Sequence, residues 1–256
     1  MDLVYTEQQQ AFRAEVRDWL AANVPSERLP SFDTAEGFEA HREWERTLAK
    51  GKWGMVTWPT DYGGRGCDLM EWLIFEEEYY RAGAPLRVNQ TGIFLLGPTL
   101  MEYGTPEQKA RFIPAMASGD EIWAQGWSEP NAGSDMAAIR CRADRDGDEF
   151  VINGQKIWTS GAHYSDYGIL VVRTDPNVPK HKGLSYFFLD MKSPGVEIKP
   201  IKQLTGGANF NEVYFTDVRI PDSQRLGEVG QGWQVALTTL MNERAAIGGG
   251  GAGVNG

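Results

Sequence analysis

Cysteine and histidine are scarce in this sequence: two of the first and three of the second. Cys67 and Cys141 lie far apart with no metal-type spacing, so neither a disulfide framework nor a cysteine metal site is expected. Both read as structural thiols that suit a reducing, cytoplasmic setting. With so few histidines, a His-based metal site is not expected either. No run of about eighteen apolar residues is present to span a bilayer. The opening Met1-Asp2-Leu3-Val4-Tyr5-Thr6-Glu7 lacks the basic-then-apolar layout of a secretory leader. Positive charge is also short: 25 Lys and Arg stand against 35 Asp and Glu, a net charge of −10. That balance argues against general nucleic-acid binding, which needs a basic face. Any anionic ligand would have to be held by local positive charge or backbone donors, against the average field.

What remains is the composition of a globular protein, 41% hydrophobic and 23% charged over 256 residues, enough for one large domain or two ordinary ones. Residues 1–120 read as helices. Phe12, Val16, Trp19 and Leu20 recur on one helical face. A second helix is expected over Glu36 to Lys50, a loop over Trp53 to Gly66, and a third helix marked by Leu69, Trp72, Leu73, Glu76 and Tyr80. Ile93 to Met101 reads as a short apolar helix. Thr105-Pro106-Glu107-Gln108 has the cap, the N1 proline and the closing glutamine of a helix start.

The period then changes. Asp146-Gly147 and Asn153-Gly154 read as hairpin turns. Around them, strands are expected at Glu149–Ile152, Gln155–Thr159, Tyr167–Arg173, Leu184–Leu189 and Glu212–Phe215, a pattern that implies a sandwich or barrel. From about Gly230 the spacing of Trp233, Leu237 and Leu240 is helical again, ahead of Gly248-Gly249-Gly250-Gly251. The fold class is therefore α+β, with an all-helical N-terminal domain (1–120), a middle β-barrel or sandwich domain (121–228) and the start of a C-terminal helical bundle (229–256).

Two segments carry the chemistry. In Trp127-Ser128-Glu129-Pro130-Asn131-Ala132-Gly133-Ser134-Asp135, an aromatic strand runs into a turn of small residues. There Asn131, Gly133 and Ser134 permit unusual backbone angles and close ligand approach. Hydroxyls and amides in the turn are suited to a flavin ring or a phosphate. The second segment is Asn153-Gly154-Gln155-Lys156-Ile157-Trp158-Thr159-Ser160-Gly161. Alone, Trp158 reads as a core aromatic. Ser160 fits a core less well, because a buried hydroxyl needs a partner.

Together the two segments resemble the flavin-binding strands of the acyl-CoA dehydrogenase family, and the resemblance extends from about Tyr5 to the end of the chain. It implies FAD as cofactor and removal of two hydrogens from the α and β carbons of an acyl-CoA thioester. It further implies an electron-transfer flavoprotein as acceptor and a homo- or hetero-oligomer, commonly a tetramer. By the same resemblance, Gln125, Trp127 and Ser128 would line the ring, Gly133 and Ser134 would approach phosphates or the CoA, Trp158 would stack, and Ser160 would bond at the N5 edge. One branch of the family carries its catalytic base as a Glu followed by Arg on the first helix of the bundle. Leu240-Met241-Asn242-Glu243-Arg244 occupies that place here, which makes Glu243 the candidate base and Arg244 a substrate neighbour. On periodicity alone a Glu-Arg pair is solvated charge. Ile93, Phe94, Leu95 and Leu96 are candidates for the acyl pocket, with a plain core role open for each.

The family's Arg-x-x-Phe-Gly and Gln-x-x-Gly-Gly-x-Gly segments, which hold the FAD pyrophosphate and adenosine, do not occur in this sequence, which by the resemblance stops inside the first helix of the bundle. A fragment, a remainder on a separate polypeptide, and a degenerate homologue that binds flavin poorly are the three expectations. The base could also lie at the family's other position, beyond residue 256. A non-catalytic subunit of a mixed assembly, of the steroid-CoA type, and a flavin oxidase or monooxygenase on the same fold are the alternatives in function. The acyl chain is left open.

Overall fold

The structure, a computed structural model, describes residues 4–249, the last five by backbone only. Gly250 and Gly251 of the glycine run lie outside the described residues. Packing divides the described chain into two compact units, one of 4–88, 117–119 and 243–249, the other of 89–116 and 120–242.

The first unit is helical. Helix α1 spans Glu7–Asn23 and starts at a reciprocal cap, in which Thr6 accepts from the Gln9 amide and Gln9 from the Thr6 amide. Helix α2 spans Ala35–Lys50, capped by Thr34. Helix α3 spans Leu69–Arg81 behind an Asp68–Glu71 box. As expected, Phe12, Val16 and Leu20 face inward. They join Trp44, Leu48, Trp53 and Phe75 in one core, where the Trp53 and Phe75 rings stack 5.5 Å apart. Each such side chain contributes about 1.5–3 kcal/mol by leaving water. On α3 the buried face is Trp72, Ile74, Phe75 and Tyr79, whereas Leu69 and Tyr80, two of its expected markers, are exposed. The Trp53–Gly66 loop folds back on itself at Gly64, where a Cβ would lie 2.1 Å from the Trp58 carbonyl oxygen.

A buried carboxylate in this unit gathers three arginines. Glu78, only 2% exposed, accepts from Arg13 and Arg81 at 2.6 Å and from Arg17 at 2.7 Å. Burial works to raise the Glu78 carboxyl, but the hydrogen bonds from Arg17 and Arg13 outweigh it and hold it below the usual carboxylate range.

In the second unit a π-helical turn, Thr91–Leu96, runs into helix α4, Gly97–Tyr103, so the expected apolar helix begins wider than an α-helix. Helix α5, Pro106–Ser118, starts at the expected cap: Gln108 accepts from the Thr105 amide and Thr105 from the Gln108 amide. The Gln108 amide group also donates to the Ser223 and Arg225 carbonyls, which ties α5 to the sheet.

The sheet has eight strands: β1 Trp123–Gly126, β2 Arg142–Asp146, β3 Glu149–Lys156, β4 Tyr167–Arg173, β5 Leu184–Asp190, β6 Val196–Ile201, β7 Phe210–Pro221 and β8 Arg225–Leu226. Their order is β6-β7-β3-β2-β4-β5-β8, with β1 parallel to β4. Three strand spacings separate β3 from β5, about 14 Å in a flat sheet. Yet the Phe150 ring of β3 and the Phe187 ring of β5 are 4.9 Å apart. The sheet therefore curls over its core, in which Ile152, Leu170, Val172 and Val213 join that pair.

One sequence expectation is overturned. Asp146-Gly147 is a hairpin turn, but Asn153-Gly154 lies inside β3, and the two strands expected on either side of it are one. The register against β7 shifts there by a bulge. Asn153 bonds Asp217 on β7 in both directions, each at 3.0 Å. Gly154 has φ +146°, and a Cβ on it would sit 2.8 Å from the Cys141 Cα. Strand β6 was not expected; its polar alternation and Pro200 mark an edge strand.

Helix α6, Gly232–Gly249, buries Val235, Ala236 and Thr239 and leaves Leu237 exposed. Among the described residues no helix is long and apolar enough to cross a membrane.

Candidate functional site

The two sequence segments lie side by side in the second unit. β1 ends at Gly126, and Trp127-Ser128-Glu129 continues beside the end of β3. The Ile157 amide donates to the Ser128 carbonyl at 2.9 Å. Lys156, fully buried, donates from Nζ to the Trp127 carbonyl at 2.8 Å and to Glu129 Oε1 at 2.9 Å. The Glu129 carboxylate is fully engaged, because it also accepts from the Arg140 amide at 2.6 Å and the Cys141 amide at 2.9 Å. Burial pushes the neighbouring Cys141 thiol up to about 11, with Lys156 pulling it down and Glu129 pushing it up.

Past Glu129 the chain makes a tight turn, closed by reciprocal 3.0 Å bonds between the Glu129 and Ala132 backbones. Gly133 and Ser134 stand exposed beyond it, with open space around the position a Gly133 Cβ would take. Arg173 fixes the descending limb of this loop through the Ile139 carbonyl at 3.0 Å and the Ala137 carbonyl at 2.6 Å. Lys180 pairs with Asp135 at 2.8 Å.

The second segment leaves β3 with a kink. Trp158 has φ +62°, a left-handed conformation that is an outlier for a bulky residue. Its neighbours are pinned. Ile157 is bound to Ser128, and Thr159 exchanges 3.1 Å backbone bonds with Asn211, whose side chain donates to the Thr159 carbonyl at 2.9 Å. The kink turns the indole outward. It is 56% exposed and touches Phe210 edge-on at 5.9 Å.

The sequence candidates thus divide. Trp158, Ser160, Gly133 and Ser134 are exposed and Gln125 and Ser128 half-buried, all in the second unit. Trp127 is buried with its ring edge-on to Tyr186 at 6.0 Å. Glu243 is half-buried and Arg244 exposed on α6, and Glu243 groups with the first unit. Ile93, Leu95 and Leu96 are buried and Phe94 half-buried.

Two buried polar atoms at these segments have no protein partner, Trp127 Nε1 and Thr159 Oγ1. An outward-turned indole, the hydroxyls of half-buried Ser128 and exposed Ser160, and these orphaned atoms form a donor set and stacking surface that fit a planar heteroaromatic group with polar edges. Among the described residues no group of three or more His, Cys, Asp or Glu side chains is arranged to hold a metal ion. Sequence reading gave no role to Lys156 or Glu129. The signal was parity: Lys156 shares the inward parity of Phe150 and Ile152, and a lysine at an inward position requires a buried partner.

The family model described as acyl-CoA dehydrogenase, N-terminal domain, matches residues 6–120, and that for the middle domain matches 124–218. Acyl-CoA dehydrogenase IpdE1 of Mycobacterium tuberculosis is 46% identical over 239 residues, covering 91% of this chain and 62% of that protein. Among solved structures, the Tcur3481-Tcur3483 steroid ACAD aligns at TM-score 0.86 and 40% identity, over 97% of this chain and 64% of that one. The ChsE4-ChsE5 complex from Mycobacterium tuberculosis aligns at TM-score 0.79 and 38% identity, over 94% and 61%. The chain spans about three-fifths of the length of the relatives it matches.

Proposed function

We propose, from the premise that this chain belongs to the acyl-CoA dehydrogenase family, that it carries the flavin-facing strands and the catalytic base of an enzyme that dehydrogenates an acyl-CoA thioester between its α and β carbons. The cofactor is FAD, which when bound supplies the acceptor for the β-hydrogen as hydride. The observation that carries the reading is the outward-turned, left-handed Trp158 stapled beside Ser128.

In this reading Trp158 offers its indole face to the ring, and Gln125, Ser128 and Ser160 bond its polar edges. Trp127 backs that surface from the core. Gly133 and Ser134, on a loop held by Arg173, take a phosphate or the CoA moiety through backbone and hydroxyl donors. The Glu243 carboxylate takes the α-proton, and Arg244 stands next to it on the substrate side. Reoxidation is assigned to an electron-transfer flavoprotein.

Glu243→Gln keeps shape and loses the base. It is expected to retain flavin and lose about 10²–10⁴-fold in turnover. Near-normal turnover would move the base elsewhere.

A second reading has a specific support. Two solved relatives are the Tcur3481-Tcur3483 steroid ACAD and the ChsE4-ChsE5 complex. In this reading the chain is one member of a mixed assembly, acting on a steroid-type thioester. Anaerobic mixing of the flavin-loaded protein with straight, branched, aromatic and steroid acyl-CoA esters separates the two. Bleaching of the flavin band by one class supports dehydrogenation and names the substrate type. Bleaching only after a second related chain is added supports the mixed assembly. Rapid oxygen consumption after bleaching would favour an oxidase.

A further inference from the structure

Burying an ion pair costs desolvation energy that attraction between the partners barely returns, and apolar residues of similar volume often serve stability as well or better. The Lys156–Glu129 pair is of this kind, with side-chain exposures of 0% and 9%. Its placement, however, is specific. Three successive residues, Trp127, Ser128 and Glu129, are gripped by two successive residues, Lys156 and Ile157, through a carbonyl, a carbonyl and a carboxylate. The middle residue of the first set is Ser128. The residue that follows the second set is Trp158. On its far side Trp158 is held by the Asn211 bracket around Thr159. A bulky residue in the left-handed region costs about 1–3 kcal/mol and persists only where its surroundings over-determine it. Lys156 and Asn211 supply that over-determination from opposite sides.

We infer that Lys156, through its pair with Glu129, is a positioning residue. It sets the spacing and angle between Ser128 and the outward-turned Trp158, and so pre-forms the surface on which the flavin ring is to lie. The inference rests on the reading that the two segments face a flavin. Lys156 itself, buried beneath them, touches no ligand. The Glu129 carboxylate serves by aiming the ammonium: Oε1, which takes Lys156, also accepts from the Cys141 amide, and Oε2 is held by the Arg140 amide. A fold-stabilising role alone would lower the melting temperature of a variant and leave the spectrum of any bound flavin as it was. A positioning role moves the spectrum.

The test uses the flavin-loaded protein and reads the visible flavin band, the FAD dissociation constant and the thermal midpoint in Lys156→Met, Glu129→Gln and Trp158→Ala. In Lys156→Met the expected result is a shifted or broadened band and a dissociation constant raised about tenfold, equivalent to about 1.4 kcal/mol lost from the contacts to the ring. If Lys156→Met does not fold, Glu129→Gln, which keeps the shape of the carboxylate, is expected to move the band in the same direction. Trp158→Ala separates the two ideas. If it alters the band while Lys156→Met, or Glu129→Gln in its place, leaves band and affinity unchanged, the positioning role is overturned and the flavin reading stands. If Trp158→Ala changes neither band nor affinity, these segments do not face the flavin and both fall.

Discussion

Trp158 shows how a single backbone angle takes an aromatic out of the core and sets it on the surface. Its φ of +62° costs an L-residue about 1–2 kcal/mol relative to glycine, which occupies that region freely. Glycine in turn adds unfolded-chain entropy worth about 0.4–1 kcal/mol. With the indole 56% exposed, little burial is lost on truncation. Trp158→Gly is therefore expected to be more stable than Trp158→Ala by about 0.5–1 kcal/mol, the reverse of the usual order within a strand or helix. Urea unfolding of the two variants measures this directly. Equal midpoints, or alanine ahead, would mean that the left-handed kink is absent in solution. The same residue shows what sequence could and could not disclose. Its identity and its place in the segment from Asn153 to Gly161 pointed to a flavin contact. Read as an aromatic at the end of a strand, it would have been placed in the core. Only the pinning of Ile157 to Ser128 and of Thr159 to Asn211 turns it outward, and those partners are distant in sequence.

At the scale of elements, local signals were legible and long-range ones were not. The Thr105 cap, read from the sequence, lies within three residues of what it caps, as do the caps the structure adds at Thr6, Thr34 and Asp68, and each α-helix they begin lies where the sequence places one. Strand β4 matches its expected bounds because a run buried on both faces is continuous and apolar. Asn153-Gly154 has the same dipeptide chemistry as a hairpin turn, and the difference lies in its partner across the sheet. Asp217 on β7 bonds Asn153 and draws the segment into a bulge. Strand β6 escaped notice because only alternate, half-buried positions such as Val196 and Ile198 reach the core. In the site, likewise, both segments were legible. The inward parity of Lys156 shows that it needs a buried partner, but nothing local names Glu129 as that partner, because the pairing runs between segments 27 residues apart. The two glycines differ in a way that substitution reveals. Gly147 has φ +65° and open space around it, and asparagine tolerates that region, so Gly147→Asn is expected to cost under about 0.5 kcal/mol. At Gly154 the new Cβ meets the Cys141 backbone, which cannot swing aside as a side chain would. Gly154→Asn is expected to cost about 2 kcal/mol or more. Denaturation midpoints falling equally for both would make Asn153-Gly154 an ordinary turn after all.

Across the whole molecule, charge sets the response to acid. At neutral pH 35 carboxylates outnumber 25 Lys and Arg. Acidification titrates the carboxylates and leaves the cations, so the net charge swings from −10 to strongly positive and the compact state repels itself. Paired carboxylates sharpen the transition. The Glu78 carboxyl is held low against its own burial by hydrogen bonds from Arg17 and Arg13, and the Asp222 carboxyl is held low chiefly by its bond from Arg225. A carboxyl whose folded value is depressed contributes stability that is complete above its unfolded value, about 4.3 for Glu. That stability is lost as pH falls from there through the folded value, because the unfolded chain takes up the proton first. Glu78→Gln removes this contribution and leaves three arginines converging on a neutral amide. Arg17 and Arg81 are more than half exposed and only Arg13 is mostly buried, so at neutral pH the variant is expected to lose about 1–2 kcal/mol, between the values for exposed and buried pairs. As the wild-type Glu78 becomes protonated, the two proteins converge. Unfolding free energies of wild type and variant, measured by denaturant at steps from pH 7 to pH 2.5, should therefore differ most above pH 5 and draw together below pH 4. A gap that stays constant across the range would show that the arginines stabilise nothing through the charge of Glu78, and that the variant's loss is one of packing alone.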